Sequence, residues 1–230
     1  DVFWRDNEKP DFTKRPLKIN YIDIETYSPS TGGFPNVDDP THPVTVITCF
    51  DTLDGHGTTF GVKPYTGDNK DIKYVYCKNE RELFNKFLDY LENDYPDIIT
   101  GWNIEGFDIP YIITRCERIL GEEHVKRLSP LGRVSFRMMK GKFGKEQKRY
   151  FIDGVSCIDY LDIYRRFCLK LRESYKLDAI AELELGEKKV TVGDMDLATL
   201  SDTDWDKFID YNIQDVQLVL KLEDKLQYIK

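Results

Sequence analysis

The spacing of apolar and polar residues divides the chain into short β-like runs followed by helical ones. "LKINYIDIETY", Leu17 to Tyr27, is rich in β-formers and predicts a first strand. A loop dense in turn residues, "SPSTGGFPNVDDPTHP", follows it. A second strand is predicted in "VTVITCF" (Val44–Phe50), with a hairpin turn through "LDGHGTTFGV" into a third. The period then changes. In "NERELFNKFLDYLEND" the residues Leu83, Phe84, Phe87, Leu88 and Leu91 fall on one helical stripe, with Asn79 placed to cap it. "DIIT" (Asp97–Thr100) reads as a short buried strand, and Ile109 to Leu120 as a second helix stopped by Gly121.

Beyond it, "GRVSFRMMKGKFGKEQKRYFIDGVS" predicts a β-hairpin turning near Phe143 and Gly144. "CIDYLDIYRRF" runs from strand into helix, and "YKLDAIAELEL" is a further helix. Asp202 or Thr203 is expected to cap a long terminal helix through "WDKFIDYNIQDVQLVLKLEDKL". Strands first, then alternating helices and strands, predict an α/β fold: a mixed sheet flanked by helices.

Size and composition narrow this picture. A length of 230 residues with 40% hydrophobic content suits one large α/β domain or two small ones. Residues 1–16 are polar, charged and proline-bearing and read as a lead-in segment, expected to come from a preceding domain; residues 17–230 form the main unit. The start at Asp1 rather than Met suggests a fragment of something larger. The net charge of −8 argues against non-specific coating of nucleic acid, but is compatible with a carboxylate cluster that holds metal. The five cysteines are scattered and never spaced as CxxC, which argues against a disulfide framework or a zinc site and favours a reducing cytosolic compartment. No apolar run approaches the roughly 20 residues needed to span a bilayer, so no membrane partner is expected.

Three acidic sites then stand out. Residues i and i+2 of a strand share a face, so Asp23 and Glu25 form a carboxylate pair while Ile22 and Ile24 point into a core. "NIEGFD", Asn103 to Asp108, precedes a helix; "YNIQD" puts Tyr211 and Asp215 one turn apart on a helical face. Each alone has a plainer reading: an edge-strand feature, a helix-dipole residue, a half-exposed helix face. Together they match a chemical requirement. Phosphodiester hydrolysis uses two divalent cations roughly 3.5–4 Å apart. Mg²⁺ takes hard oxygen ligands and keeps several waters, so a few carboxylates suffice. His42, His56 and His124 form no ligand pattern.

"DIE", "NxxxFD" and "YxxxD", in this order and spacing, resemble the three exonuclease motifs of family B DNA polymerases, and the flanks "TGWNIEGFDIPYI", "SPLGRV", "IDGVS" and "DYLDIY" resemble those of T-even-type bacteriophage enzymes. The resemblance runs from about Lys18 to Asp224. It implies the ribonuclease-H-like exonuclease fold with an inserted β-hairpin. It also implies 3′→5′ proofreading excision of deoxynucleoside monophosphates from single-stranded or frayed primer ends. Asp23, Glu25, Asp108 and Asp215 would bind two Mg²⁺ ions, for which Mn²⁺ could substitute, and Tyr211 would orient the attacking water.

For the DNA, Phe34 is the candidate stacking wedge, its alternative being a loop aromatic that anchors on the domain. Asn103 and Phe107 would position the primer end. Arg133, Arg137, Lys140, Lys142, Lys145, Lys148 and Arg149 stand against the single acid Glu146 in the hairpin, either a solvated face or the family's strand-separating element; Arg137, Lys140 and Lys142 are the candidate DNA contacts. Lys176, in "KLDAIA", is similar to a lysine that supports the active site in some members. The Asp-Thr-Asp in "SDTDWD" lacks the tyrosine of a polymerase palm motif and reads as a helix cap, so no polymerase activity is expected of this chain alone.

Single-stranded DNA and the remaining polymerase domains are the expected partners, and the chain is expected to be a monomeric phage protein in the cytoplasm of a bacterial host. Two rival readings stay open: a stand-alone exonuclease of the same superfamily acting on RNA or DNA, and an inactive nucleic-acid-binding or interaction module.

Overall fold

The computed structural model describes residues 16–27, 35–140, 146–187 and 197–229. Among the described residues eight strands and seven α-helices run in the order β1 (Ile19–Thr26), β2 (Val44–Asp51), β3 (His56–Gly61), β4 (Ile72–Tyr76), α1 (Glu80–Asn93), β5 (Ile98–Gly101), α2 (Asp108–Leu120), α3 (Glu122–Val125), β6 (Val134–Lys140), β7 (Glu146–Ile152), β8 (Ser156–Asp159), α4 (Tyr160–Phe167), α5 (Leu177–Leu185), α6 (Leu197–Thr203) and α7 (Trp205–Leu226). Six strands form a mixed sheet in the order β4-β3-β2-β1-β5-β8, and β6 pairs with β7 as a separate antiparallel hairpin. β1 is antiparallel to β2 and parallel to β5, so the chain leaves β1 and β5 on the same side of the sheet. This is the mixed sheet of the ribonuclease-H-like exonuclease fold.

The side-chain alternation of β1 sorts the two layers. Ile22 and Ile24 pack with Ile47, Cys49 and the apolar stripes of α1 and α2, and Leu83, Phe84, Phe87, Leu88 and Leu91 are all buried there. Burying each such side chain contributes about 1.5–3 kcal/mol as an upper estimate. Asn79 caps α1, its side chain accepting from the Glu82 N–H at 3.0 Å. Arg115 of α2 locks the two helices together, donating to both carboxylate oxygens of Glu80 at 2.7 Å and to the Pro40 carbonyl at 2.8 Å. On the opposite face Ile19 and Tyr21 pack against α4, α5 and α7. Asp23 and Glu25 project from that same second face, which α7 crosses.

Three features depart from the sequence expectations. β4 was not anticipated; it adds to the sheet edge parallel to β3, and its half-buried alternation "IKYVY" is the signal for it. The cap of α7 is Asp204, accepting from the Lys207 N–H at 3.2 Å, rather than Asp202 or Thr203. Those two residues belong to α6, a helix of its own that ends immediately before the cap. The hairpin strands are where the sequence puts them, whereas the turn at Phe143 and Gly144 lies outside the described residues, as does most of the lead-in segment.

Candidate active site

At the end of β1 a cleft of about 310 Å³ is lined by Asp23, Glu25, Asn103, Phe107, Asp108, Tyr211 and Asp215, with Ile24, Trp102, Gly106 and Leu197 completing its wall. Five separate parts of the chain meet here: a strand end, the loop after β5, the first turn of α2, the start of α6 and the middle of α7. Asp23, Glu25 and Asp215 are the tightest group. One carboxylate oxygen from each lies within 4.8 Å of the others, and all three side chains are half-buried. Two unit charges 4 Å apart repel by about 1 kcal/mol in water and about 4 kcal/mol at the effective dielectric of a protein surface. Three acids held this closely are therefore suited to a divalent cation with oxygen ligands.

Asp108 sits apart from that trio and is almost fully buried. Its Oδ1 accepts the Ile24 N–H at 3.1 Å, which ties the start of α2 to the strand between the two acids of β1. Burial pushes its carboxyl up to about 7, with the Asp159 and Asp215 charges adding to the rise and hydrogen bonds from the Ile24 and its own N–H opposing it. Tyr211 and Asp215 reach the cleft from the same face of α7, as their spacing predicts.

The loop that carries Asn103 and Phe107 is held by a residue that sequence reading missed. Asp159 ends β8 and caps α4; its buried carboxylate accepts the N–H groups of Asn103 at 3.1 Å, Glu105 at 3.0 Å and Leu161 at 2.9 Å. Asn103 adopts the left-handed region at φ 64°, a conformation that asparagine tolerates better than other L-residues. Just before it, Gly101 passes so near β1 that an added Cβ would stand 2.3 Å from the Ile22 carbonyl oxygen, so only glycine fits. A capping aspartate before "YLDIY" was visible in the sequence, but not its reach to another loop. Asn212 was also missed. It is fully buried between Tyr211 and Ile213, and its Nδ2 donates to Asp23 Oδ2 at 2.5 Å.

The expected DNA contacts divide. Asn103 and Phe107 are at the cleft, Phe107 with its ring 5.2 Å from that of Tyr111. Arg137 and Lys140 are exposed on β6, with the Arg137 guanidinium 5.3 Å above the Phe151 ring. The basic run is partly neutralised: Arg133 pairs with Asp153 at 2.6 Å, Lys148 with Asp38 at 3.3 Å and Arg149 with Glu105 at 2.5 Å. Lys176 is exposed at the start of α5 and does not line the cleft; its neighbour Tyr175 accepts from Trp102 Nε1 at 3.1 Å. Phe34 and Lys142 lie outside the described residues.

Comparison with known proteins agrees with this geometry. Residues 1–180 match the family described as DNA polymerase family B, exonuclease domain. The DNA-directed DNA polymerase of Escherichia phage RB69 is 33% identical over 246 aligned positions, covering 96% of this chain and 27% of that protein. The DNA-directed DNA polymerase of Enterobacteria phage T4 is 39% identical over 152 positions, covering 66% of this chain and 17% of the relative. The DNA polymerase catalytic subunit of Elephantid herpesvirus 1 is 32% identical over 92% of this chain and 21% of its own length. The chain thus spans about a quarter or less of these polymerases. With its acids gathered in one cleft and this kinship across its length, the chain belongs to the exonuclease-domain family of the family B DNA polymerases.

Proposed function

We propose that this chain is a metal-dependent 3′→5′ exonuclease that removes deoxynucleoside monophosphates from single-stranded or frayed primer ends. It would serve as the proofreading part of a longer replicative polymerase, with the other polymerase domains and the primer terminus as its partners. The observation that carries this reading is the convergence of Asp23, Glu25 and Asp215 within 4.8 Å, in a cleft shared with Asp108 and Tyr211, in a chain of this family. The phage relatives favour a protein acting in the cytoplasm of an infected bacterial cell. Among the described residues no helix is long and apolar enough to cross a membrane.

Asp23, Glu25, Asp108 and Asp215 would hold two Mg²⁺ ions, which supply charge neutralisation at the scissile phosphate and activation of water. Asn103 and Phe107 would orient the terminal nucleotide, the aromatic face offering a base about 1–3 kcal/mol of stacking. Tyr211 would direct the attacking water through its hydroxyl. Water adds to the terminal phosphorus, the bond to the 3′ oxygen of the penultimate nucleotide breaks, and that oxygen takes a proton. Exposed Arg137 and Lys140 on the hairpin suit the phosphate backbone of the incoming strand.

The test incubates the chain with 5′-labelled single-stranded DNA and Mg²⁺, with and without chelator. Stepwise shortening from the 3′ end that chelator abolishes is expected. Endonucleolytic products, chelator-insensitive cleavage or preferential digestion of RNA would overturn the assignment.

A further inference from the structure

We propose that Asn212 is a positioning residue for the metal site, steering Asp23 through a hydrogen bond; this rests on the reading of Asp23 as a metal ligand. Asn212 occupies a core position of α7, fully buried, with Ile209, Ile213 and Val216 as buried neighbours on the helix. An amide in such a place is costly unless it is bonded. Its Nδ2 finds Asp23 Oδ2 at 2.5 Å, while its Oδ1 has no hydrogen-bond partner among the described residues. The side chain therefore sacrifices one polar atom to present the other to a single carboxylate.

The chemistry explains why an amide rather than a cation stands there. A lysine or arginine would neutralise Asp23 and compete with a divalent ion for it. A neutral N–H fixes one carboxylate oxygen and leaves the full negative charge on the group, within 4.8 Å of the acids of Glu25 and Asp215. Asn212 follows Tyr211 directly and lies one residue short of a turn from Asp215, so α7 delivers a ligand, a water-directing phenol and a ligand-orienting amide from one rigid segment. Removing the amide takes this donor away from Asp23, and geometry-sensitive cation binding suffers before the fold does.

The experiment compares the wild-type chain with Asn212→Leu, which fills the same space without a donor, and Asn212→Ser, whose hydroxyl is too short to reach. Mn²⁺ binding without DNA is followed by electron paramagnetic resonance, and exonuclease rate is measured against Mg²⁺ concentration. Both variants are expected to bind Mn²⁺ about 5- to 30-fold more weakly and to need correspondingly more Mg²⁺ for half-maximal rate, with much of the maximal rate regained at high Mg²⁺. Should Asn212→Leu fail to fold, as judged by circular dichroism, Asn212→Ser carries the test alone. Unchanged Mn²⁺ affinity, within twofold, in a folded variant overturns the proposal. Failure of the wild type itself to bind Mn²⁺ or to cleave overturns instead the exonuclease reading beneath it.

Discussion

The guanidinium of Arg149 donates to Glu105 Oε1 at 2.5 Å, joining the second strand of the basic hairpin to the loop that leads into Asp108. Burial raises the Glu105 carboxyl above its usual range, while the Arg149 charge and its hydrogen bond pull it back. A half-exposed arginine thus serves a mostly buried acid, and the basic hairpin is mechanically tied to the loop that carries Asn103 and Phe107.

That pair is open to a double-mutant cycle. Arg149→Met should destabilise the chain by about 1 kcal/mol more with Glu105 present than in the Glu105→Gln background, since a buried carboxylate is otherwise left without its donor. Denaturant melts of the four proteins measure the coupling, and a value near zero would mean that the hairpin is not tied to the loop.

The acid trio makes a contrast between activity and stability. Glu25→Gln and Asp215→Asn each relieve repulsion, so the metal-free chain should melt at the same temperature or higher, while turnover falls at least 100-fold. Asp23→Ala is a less clean variant. Simple repulsion among the acids predicts equal or higher stability for it too, but its loss strands the Asn212 amide, which costs about 1–3 kcal/mol. Differential scanning fluorimetry in chelator, paired with the labelled-DNA assay, separates the three.

Cation binding should itself stabilise the fold. An ion that binds only the native state at 100 times its dissociation constant adds about 2.7 kcal/mol. The melting temperature is expected to rise with added Mg²⁺ or Mn²⁺, to return with chelator, and to stay flat in Asp215→Asn. A rise that persists in that variant would place the ion elsewhere.

Asp108 gives a pH dependence of defined sign. Its carboxyl titrates at about 7 in the fold against about 3.9 in an unfolded chain, so the native state holds the extra proton between those values. The contribution of this group to the metal-free chain therefore falls as pH rises from about 4 to about 7. Asp108→Asn keeps an oxygen for the Ile24 N–H and removes the buried charge. It should raise the melting temperature at pH 8 more than at pH 5; an equal change at both would show that Asp108 is not held neutral by burial.

Asp159→Ala should loosen the loop while leaving the trio of Asp23, Glu25 and Asp215 in place. Losing the acceptor for the Asn103, Glu105 and Leu161 N–H groups is expected to lower stability by roughly 2–3 kcal/mol and to weaken DNA binding more than Mn²⁺ binding. Equal weakening of both would assign Asp159 to the metal site instead.

Much of this was legible in the chain because it depends on short-range periodicity. Asp23 and Glu25 declare a shared face through a two-residue step, and Tyr211 and Asp215 through a helical turn; the stripe of α1 and its Asn79 cap are equally local. What stayed hidden depends on contacts across the fold. Asn212 looks like any polar helix residue until α7 is laid on β1, and nothing near Asp159 announces a loop more than fifty positions earlier. The partial neutralisation of the basic hairpin was hidden in the same way, because Asp38, Glu105 and Asp153, which pair with Lys148, Arg149 and Arg133, lie outside the run. The Asp204 cap was missed because a short helix ends where the long one begins, and a cluster of capping residues serves either boundary.

The pleat of β1 carries a consequence for how such a site can change. Seven residue pairs to β2 and three to β5 fix its register, with the only irregularity between Glu25 and Thr26. Sliding the strand by one position would turn Ile22 and Ile24 toward the cleft and drive both acids into the apolar layer. The two acids of β1 therefore cannot be adjusted by degrees: they are kept in place or abolished. Fine adjustment of rate or substrate fit falls instead to α7 and the Asn103 loop, where a helix can roll slightly and a turn can be reshaped. In adaptation or engineering, β1 acts as the fixed jaw and the other two as the movable one.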